Sequence, residues 1–247
     1  MAVDEALLSC YPRLQRPTLR LYGWARPTLS LGHFQRAEGV DLAACRSRDV
    51  EVVRRPTGGR AVLHGCEVTY SIVAGLERFP QGVAASYRHI SRALISALNE
   101  LGLGAQWQRQ HTRARSAVCF EAPALAELTI EGKKVTGSAQ TRTRHALLQH
   151  GAIPLALDWT TLAAVFKLNA GALDALKRRA AGLNDFDPGL DAERVREALI
   201  RSFSAVLGPL VPAELSPYER TAARSLLKKY ERVADSPRKE VVDVVGR

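Results

Sequence analysis

Long apolar runs are absent from this sequence of 247 residues. No stretch approaches the roughly 18 to 20 consecutive apolar residues that a membrane-spanning helix needs. The amino terminus, MAVDEALLSCYPRL, also lacks the basic segment and the long apolar core of a signal peptide. We therefore expect a cytoplasmic protein with no membrane partner.

Cysteine is scarce as well, with four residues in the whole chain. They are Cys10, Cys45, Cys66 and Cys119, and none belongs to a CxxC or CxxH pair, so neither zinc nor any other metal is predicted. A chain of this length buries enough apolar surface to fold without disulfide bonds. The sequence therefore indicates free thiols in a reducing compartment.

Acidic residues are outnumbered by basic ones, 25 to 35, which gives a formal net charge of +10 and a pI near 9.8. Such a charge favours acidic partners, which include nucleic acid, an anionic membrane and an acidic protein. The basic residues are spread along the chain without a run of five or more, so a nucleic-acid-binding tail is not indicated.

The hydrophobic pattern predicts a mixture of strands and helices in the first part of the chain and helices alone in the last part. Strands are predicted at 18–34 around a turn at 23–27, and at 50–55, 62–73 and 146–157. A hairpin is predicted over 127–136, with its turn at Glu131 and Gly132. Helices are predicted at 41–48, at 86–101 and from Trp159 onward. This order predicts an α+β fold, a mixed β-sheet flanked by helices, with a helical C-terminal end.

The stretch RRPTGGRAVLHGC, residues 54–66, contains two adjacent glycines among three arginines. It is neither a Walker A motif, because no Gly-Lys-Ser/Thr follows, nor a GxGxxG motif. Glycine lets a backbone approach a ligand closely, and arginine binds phosphate or carboxylate groups. Taken alone, the stretch fits a structural hairpin as well as a ligand-binding loop.

Two further segments contain residues with useful chemistry. In SAVCFEAPALAELTIEGKKVTGSAQ, the thiol of Cys119 precedes Lys134 and the small residues 137–139. A nearby ammonium group lowers a thiol pKa and yields a reactive thiolate, although a buried structural cysteine is the alternative. In LLQHG, His150 is a candidate base or a wall of a binding site, and it is also compatible with a structural histidine.

Together, and in this order, the three segments resemble the catalytic family of biotin and lipoate protein ligases. The resemblance is greatest to the branch of octanoyl-[acyl-carrier-protein]:protein N-octanoyltransferases that are similar to lipoate ligases. It implies a catalytic domain over 1–185 and a helical C-terminal extension over 186–247 that packs on the same domain. Members of the family usually begin with a strand before the first helix, whereas this sequence starts at MAVDEALL, so we expect either a misassigned start or an absent strand.

The resemblance also implies an activity. The octanoyl group moves from octanoyl-acyl carrier protein to a lysine of apo lipoyl domains, those of 2-oxoacid dehydrogenases and the glycine-cleavage H protein, and the reaction needs no cofactor. Cys119 corresponds to the nucleophile that forms an acyl-thioester, and Lys134 to the lysine that tunes it. The positions that correspond to substrate-binding residues are Arg54, Arg55, Gly58, Gly59, Arg60, His64, Gly137, Ser138, Ala139, Gln140, Gln149, His150 and Gly151.

Three other functions remain compatible with the sequence. An ATP-dependent lipoate–protein ligase shares the RRxxGG and GSA segments but has no nucleophilic cysteine at this position. A lipoyl or octanoyl amidotransferase shares Cys119 and differs only in its donor, a lipoyl domain. The third is a basic, non-catalytic binding protein. Since no helix-turn-helix pattern is present, nucleic acid is not expected as a partner, and the positive charge is expected to attract acidic carrier proteins.

Overall fold

The fold of the protein, taken from a computed structural model, is described for residues 1–108 and 127–231. The predicted nucleophile, Cys119, lies outside the described residues. The predicted α+β class is confirmed. The helices are α1 Ala2–Leu14, α2 Leu42–Ser47, α3 Val83–Glu100, α4 Trp159–Val165, α5 Ala170–Arg179, α6 Ala192–Leu207 and α7 Pro217–Glu231. The strands are β1 Thr18–Tyr22, β2 Thr28–Leu31, β3 Glu51–Arg54, β4 Val62–His64, β5 Glu67–Gly75, β6 Gln106–Trp107, β7 Leu128–Ile130, β8 Lys133–Lys134, β9 Gly137–Arg142 and β10 Ala146–Pro154.

The main sheet has four antiparallel strands in the order β1-β5-β10-β9. Its central strands, β5 and β10, are buried along their whole length, so both faces of the sheet are covered. That agrees with the mixture of apolar and polar residues on both faces of β5. In the register of the sheet, Tyr22 of β1 pairs with Thr69 of β5. Thr69 pairs in turn with Ala152 of β10, and Ala152 pairs with Gly137 of β9.

A second, mixed sheet has the order β3-β2-β4, with β2 parallel to β3 and antiparallel to β4. The prediction of one continuous strand over 62–73 is wrong, because the chain turns at Gly65 and Cys66 and enters the main sheet as β5. Side chains alternate between the two faces of a strand in the same way before and after such a turn. The sequence pattern therefore does not show that β4 and β5 belong to different sheets.

A third small sheet, β6-β7-β8, contains the predicted hairpin. Its turn residues, Glu131 and Gly132, have φ values of 49° and 79°. Two consecutive residues with positive φ are what the tightest hairpin connections require, and the hairpin prediction is confirmed.

Helices cover the two faces of the main sheet. On one face α3 and α6 pack together, and fully buried residues such as Ile90 and Phe203 join Tyr70 and Ile72 of β5 in the largest apolar core. On the other face α1 contacts β5 and β10, and Leu7 and Leu8 lie in a smaller core with Val73 and Leu148. The alternation of β5 therefore sends even-numbered residues to one core and odd-numbered residues to the other.

The C-terminal helices are anchored to the rest of the chain. The N–H of Glu219 donates to Ser216 Oγ (3.3 Å) and Glu219 Oε2 accepts from the N–H of Ser216 (2.6 Å), a capping box that begins α7. Lys229 Nζ donates to Glu5 Oε1 (2.6 Å), which ties α7 to α1. The division of the chain at residue 185 into a catalytic domain and a C-terminal extension stays a prediction.

Among the helices of residues 1–108 and 127–231, none combines the length and the apolar character that crossing a membrane takes.

Candidate active site

A cavity of about 240 Å³ lies where the main sheet meets the second sheet. Its described lining comes from the ends of β1, β2 and β4, from the glycine loop before β4, and from β5, β9 and β10. The lining residues are Met1, Tyr22, Ser30, Arg55, Gly59, Arg60, Val62, His64, Thr69, Glu127, Gly137, Ser138, Ala139, His150, Gly151 and Ala152.

Nine of the thirteen residues predicted to bind substrate line this cavity. They are Arg55, Gly59, Arg60, His64, Gly137, Ser138, Ala139, His150 and Gly151. The other four, Arg54, Gly58, Gln140 and Gln149, lie close to it in the chain but outside its lining. The structure thus brings three separate segments of sequence to one place, and the binding role of each residue stays a prediction.

The glycine loop is held from within by Arg55, which is 4% exposed. Its Nη1 donates to the carbonyl of Ser30 (2.9 Å), and its Nη2 donates to the carbonyls of Gly58 (2.8 Å) and Arg60 (2.7 Å). Gly59 has a φ of 91°, a conformation that glycine adopts readily. The Arg55 guanidinium therefore shapes the loop that forms one wall of the cavity.

Arg54 braces the neighbouring loop. Its Nη1 donates to the carbonyls of Gly32 (2.7 Å), His33 (3.3 Å) and Gln35 (2.6 Å). These bonds hold the Arg54 guanidinium against backbone carbonyl groups, and its predicted role in substrate binding stays a prediction.

His64 closes one end of the cavity. Its Nε2 lies 2.7 Å from Ser30 Oγ and its Nδ1 lies 2.8 Å from Glu67 Oε1. The Trp24 ring stacks on the imidazole with centroids 4.2 Å apart, and its Nε1 donates to Glu67 Oε1 (3.1 Å) and Thr69 Oγ1 (2.9 Å). Both nitrogens of the histidine thus have partners, which suits a rigid wall better than a mobile base.

His150 belongs to a buried chain of polar groups. Its Nε2 lies 2.6 Å from Thr57 Oγ1, and its Nδ1 lies 3.5 Å from Asp4 Oδ2. Burial lowers the pKa of His150 and outweighs the opposing effect of Asp4, so the ring is neutral at pH 7. A neutral ring that donates a hydrogen bond from Nδ1–H to Asp4 accepts a hydrogen bond from the Thr57 hydroxyl at Nε2.

Asp4, on α1, is fully buried. Burial alone would raise its pKa, but the hydrogen bond to His150 and the charge of Arg20 outweigh that effect and hold the pKa well below its usual range. Tyr22 Oη (3.0 Å) and Ser71 Oγ (2.8 Å) also donate to the carboxylate. An ionised Asp4 therefore fixes the orientation of the His150 ring at the cavity wall.

Gln149 lies on the opposite face of the main sheet from His150. Its Oε1 accepts from Gln140 Nε2 (3.0 Å), and its Nε2 donates to Tyr70 Oη (3.1 Å). Tyr70 in turn donates to Ser138 Oγ (2.8 Å), which links this network to a residue of the cavity lining. A Cβ at Gly151 would lie 2.7 Å from Tyr70 Cε1, which is too close for two carbon atoms that are not bonded. Only glycine therefore fits at position 151 beside the Tyr70 ring.

Lys134 and Glu127 form a buried ion pair in the third sheet. Lys134 is 3% exposed and Glu127 is 4% exposed, and the carboxylate also lines the cavity. Buried charges of opposite sign compensate each other's loss of hydration. The predicted tuning lysine is thus paired with a residue of the cavity lining, and its tuning role stays a prediction.

Several residues of this site were not predicted from the sequence. Asp4 and Thr57 orient His150, while Tyr22, Ser30 and Glu127 line the cavity. Polar residues inside otherwise apolar strands, such as Ser30 in TLSL, are a signal that could have identified some of them. Asp4 and Glu127 gave no such signal, because an isolated acidic residue normally faces water.

Cys66 is separate from the cavity. It is exposed at the turn between β4 and β5 and is absent from the lining. Residues 1–108 and 127–231 contain no group of three His, Cys, Asp or Glu side chains arranged to hold a metal ion. Among those residues, the lining includes two histidines, His64 and His150, two arginines, Arg55 and Arg60, and the carboxylate residue Glu127, together with hydroxyl residues and strand backbone.

The chain resembles known proteins in both sequence and structure. A family model described as the lipoyl protein ligase A/B catalytic domain matches residues 1–204. The octanoyltransferase LipM of Kyrpidia tusciae is 46% identical over 248 residues, covering 93% of this chain and 90% of the relative. The octanoyltransferase LipM of Carboxydothermus hydrogenoformans is 43% identical over 241 residues, with coverages of 93% and 90%.

Among solved structures, the bipartite lipoate protein ligase of Thermoplasma acidophilum has a similar fold. The TM-score is 0.82 at 27% sequence identity, and the match covers 98% of this chain and 92% of that chain. That ligase was solved as part of an archaeal lipoylation system with its E2 lipoyl domain.

Proposed function

Because the chain belongs to the lipoyl protein ligase A/B catalytic-domain family and is an enzyme of octanoyl transfer in lipoate biosynthesis, we propose that its donor is octanoyl-acyl carrier protein and its acceptor a lysine of a lipoyl domain. In this proposal the octanoyl group passes through a thioester on Cys119. The reaction takes place in the cytoplasm, where we also expect both carrier proteins.

The observation that supports this proposal best is the shared cavity. Residues of the glycine loop, of β9 and of β10 line it, and the lining residue Glu127 forms an ion pair with the buried Lys134. In the sequence, Cys119 precedes Glu127 by only eight positions. A cavity of about 240 Å³ is slightly below the range of about 300–1,000 Å³ for pockets that hold drug-sized ligands, as expected for a short acyl chain.

In the first step, the Cys119 thiolate attacks the thioester carbonyl of the donor. A bond forms from Cys119 Sγ to the carbonyl carbon, the bond to the pantetheine sulfur breaks, and the departing thiolate takes a proton from the Lys134 ammonium. One thioester replaces another, so the step is close to isoenergetic and needs no nucleotide. Backbone N–H groups of Gly137–Ala139 that point away from β10 are suited to stabilise the oxyanion.

In the second step, the amine of the acceptor lysine attacks the acyl-Cys119 thioester. The new C–N bond gives an amide, the bond to Cys119 Sγ breaks, and the amine proton returns to Lys134. Lys134 thus gives one proton and receives one in each cycle. As an ammonium it also favours the thiolate form of Cys119, since a nearby cation lowers a thiol pKa.

Intact-mass spectrometry after mixing with octanoyl-acyl carrier protein tests the proposal. We expect the mass to rise by one octanoyl group, and the gain to vanish in Cys119→Ala while persisting in Cys66→Ala, the matched control at the exposed thiol. If the mass gain were lost in Cys66→Ala alone, the nucleophile would be Cys66 and not Cys119.

Lys134→Ala is expected to slow acylation and to shift its pH profile upward, and an unchanged profile would remove Lys134 from the mechanism.

Two rival functions predict different results. A lipoate ligase, the function of the Thermoplasma relative, would use free lipoate and ATP and would tolerate Cys119→Ser. An amidotransferase would accept octanoyl from an octanoylated lipoyl domain, such as the glycine-cleavage H protein, and would leave octanoyl-acyl carrier protein unused. Parallel assays with the three donors, followed by mass analysis of an apo lipoyl domain, distinguish them.

A further inference from the structure

Phe34 is one of the most exposed large apolar side chains among the described residues, with 75% of its surface accessible. It follows β2 in the short loop 32–36. A single exposed apolar residue is ordinary on a protein surface and needs no special explanation. Two features of its surroundings, the rigidity of the loop and its place beside the cavity, set it apart.

The loop is held firmly although Phe34 and Arg36 are exposed. Arg54 Nη1 donates to three of its five carbonyl groups, and the N–H of Gln35 donates to the carbonyl of Gly32 (3.0 Å). The ring of His33 meets the Phe34 ring edge to face, with centroids 4.6 Å apart. An aromatic ring fixed in this way loses little conformational entropy when a partner covers it.

The loop also packs directly on the wall of the cavity. The N–H of His33 donates to the carbonyl of Thr57 (2.8 Å), and a Cβ at Gly32 would overlap with the carbonyl oxygen of Gly59. Gly59 both lines the cavity and is exposed, so it marks the mouth. The exposed Phe34 therefore belongs to a loop that packs on the exposed part of the cavity wall.

We propose that Phe34 and its braced loop are the anchor that binds the acceptor, an acidic domain that presents a lysine, during octanoyl transfer. This inference rests on the proposed function. A lysine side chain is short, so the body of its domain must touch the rim of the cavity when the amine is inside. The pantetheine arm of a donor is much longer and allows its carrier to bind farther away. The net charge of +10 favours an acidic partner.

The test compares Phe34→Ala with Val211→Ala in the full chain. Val211 is 81% exposed between α6 and α7 and is a matched control for loss of an exposed apolar side chain. Removing a central aromatic anchor weakens binding about tenfold or more. We expect that increase in the Kd of an apo lipoyl domain for Phe34→Ala, a smaller one for Phe34→Leu, and none for Val211→Ala.

Two further measurements separate this surface from the chemistry. Acylation by octanoyl-acyl carrier protein, and release of the octanoyl group to hydroxylamine as a small nucleophile, are expected to stay within twofold in Phe34→Ala. An unchanged Kd for the lipoyl domain would overturn the proposal, and so would a loss of acylation with an unchanged Kd, which would assign the anchor to the donor. If the wild-type protein is not acylated at all, the proposed donor is wrong, and calorimetry with the apo lipoyl domain still decides the role of Phe34.

Discussion

The two faces of the main sheet both bury polar side chains, but they use them differently. Toward α3 and α6, Gln149 and Tyr70 are fully buried and form hydrogen bonds with the partly buried Gln140 and Ser138, and Tyr70 belongs to the apolar core. Toward α1 and the glycine loop, His150 and its partners border a cavity. Gln149 and His150 are adjacent in the sequence, yet the alternation of β10 assigns one to the inner scaffold and the other to the site.

This difference separates stability from activity. Groups that satisfy each other in a closed network support the fold, and the loss of one leaves its partners without a hydrogen bond at a site remote from water. Groups at a cavity keep part of their surface for a ligand, so their loss changes binding more than folding. The predictions below test this division from the largest expected effect to the smallest.

Gly151→Ala should be the most damaging change, because the added Cβ would clash with residues of both neighbouring strands, β5 and β9. The added Cβ would meet Tyr70 Cε1 at 2.7 Å and the Gly137 carbonyl oxygen at 2.8 Å. We expect the free energy of unfolding to fall by about 2–3 kcal/mol, measured by urea denaturation, with loss of octanoyl transfer because Gly137 lines the cavity. The matched control is Gly65→Ala, where no atom lies within 4 Å of the new Cβ. If Gly151→Ala and Gly65→Ala lowered the free energy of unfolding equally, the close approach of Tyr70 and Gly137 to Gly151 would be contradicted.

Gln149→Leu tests the closed network. It leaves Gln140 and Tyr70 without one hydrogen-bond partner each, and we expect the free energy of unfolding to fall by about 2 kcal/mol. Because the side chain lies outside the cavity lining, kcat/KM for octanoyl transfer should stay within a few-fold of the wild type at a temperature where both proteins are folded. A large loss of kcat/KM with unchanged stability would place Gln149 in the site after all.

Thr57→Val tests the opposite face. The hydroxyl that donates to His150 disappears while the shape of the side chain is kept, so we expect a loss of about 1 kcal/mol in unfolding free energy. The KM for the donor should rise several-fold, because the glycine loop loses its link to β10. Thr57→Ser keeps the hydroxyl and should restore most of the KM. If Val and Ser give the same KM, the hydrogen bond does not position the loop.

The smallest effect concerns pH. The folded-state pKa of His150 is lowered by burial, so below about pH 6.5 the unfolded chain binds a proton that the folded chain resists. The contribution of His150 to stability is therefore complete above its unfolded pKa and is lost as the pH falls toward its folded pKa. Between pH 7 and 5, unfolding free energies should decline less steeply in His150→Gln than in the wild type, and His145→Gln, at an exposed histidine, is the matched control.

The elements that the sequence predicted well are those with a strong local pattern. The apolar stripe of α3, including Ile90, Leu94 and Leu98, is buried as its helical spacing requires. The hairpin with its turn at Glu131 and Gly132 is equally local. The break at Gly65 between β4 and β5 was missed, because only the pairing partners, which are distant in sequence, distinguish one bent strand from two.

The candidate site shows the same limit. Its segments were found because glycine, lysine and histidine stand in a pattern that resembles a known family. Arg54 and Arg55 have the same residue type and adjacent positions, yet one braces the loop of Phe34 and the other the glycine loop at the cavity. Which carbonyl groups an arginine reaches depends on the folding of β2 against β3, and no local pattern records it.

The sequence by itself predicted the α+β class, helices such as α3 and the hairpin, since these depend on residue types at short spacing, and its resemblance to a known family implied octanoyl transfer. The tertiary structure decided which of the candidate residues share a cavity, and it supplied Asp4, Thr57 and Glu127 as their partners. The physical reason is that a buried polar group must be satisfied by whatever group the fold brings within about 3 Å. That group can be as distant in the chain as Asp4 is from His150, and its identity follows only when the strands are paired and the helices packed.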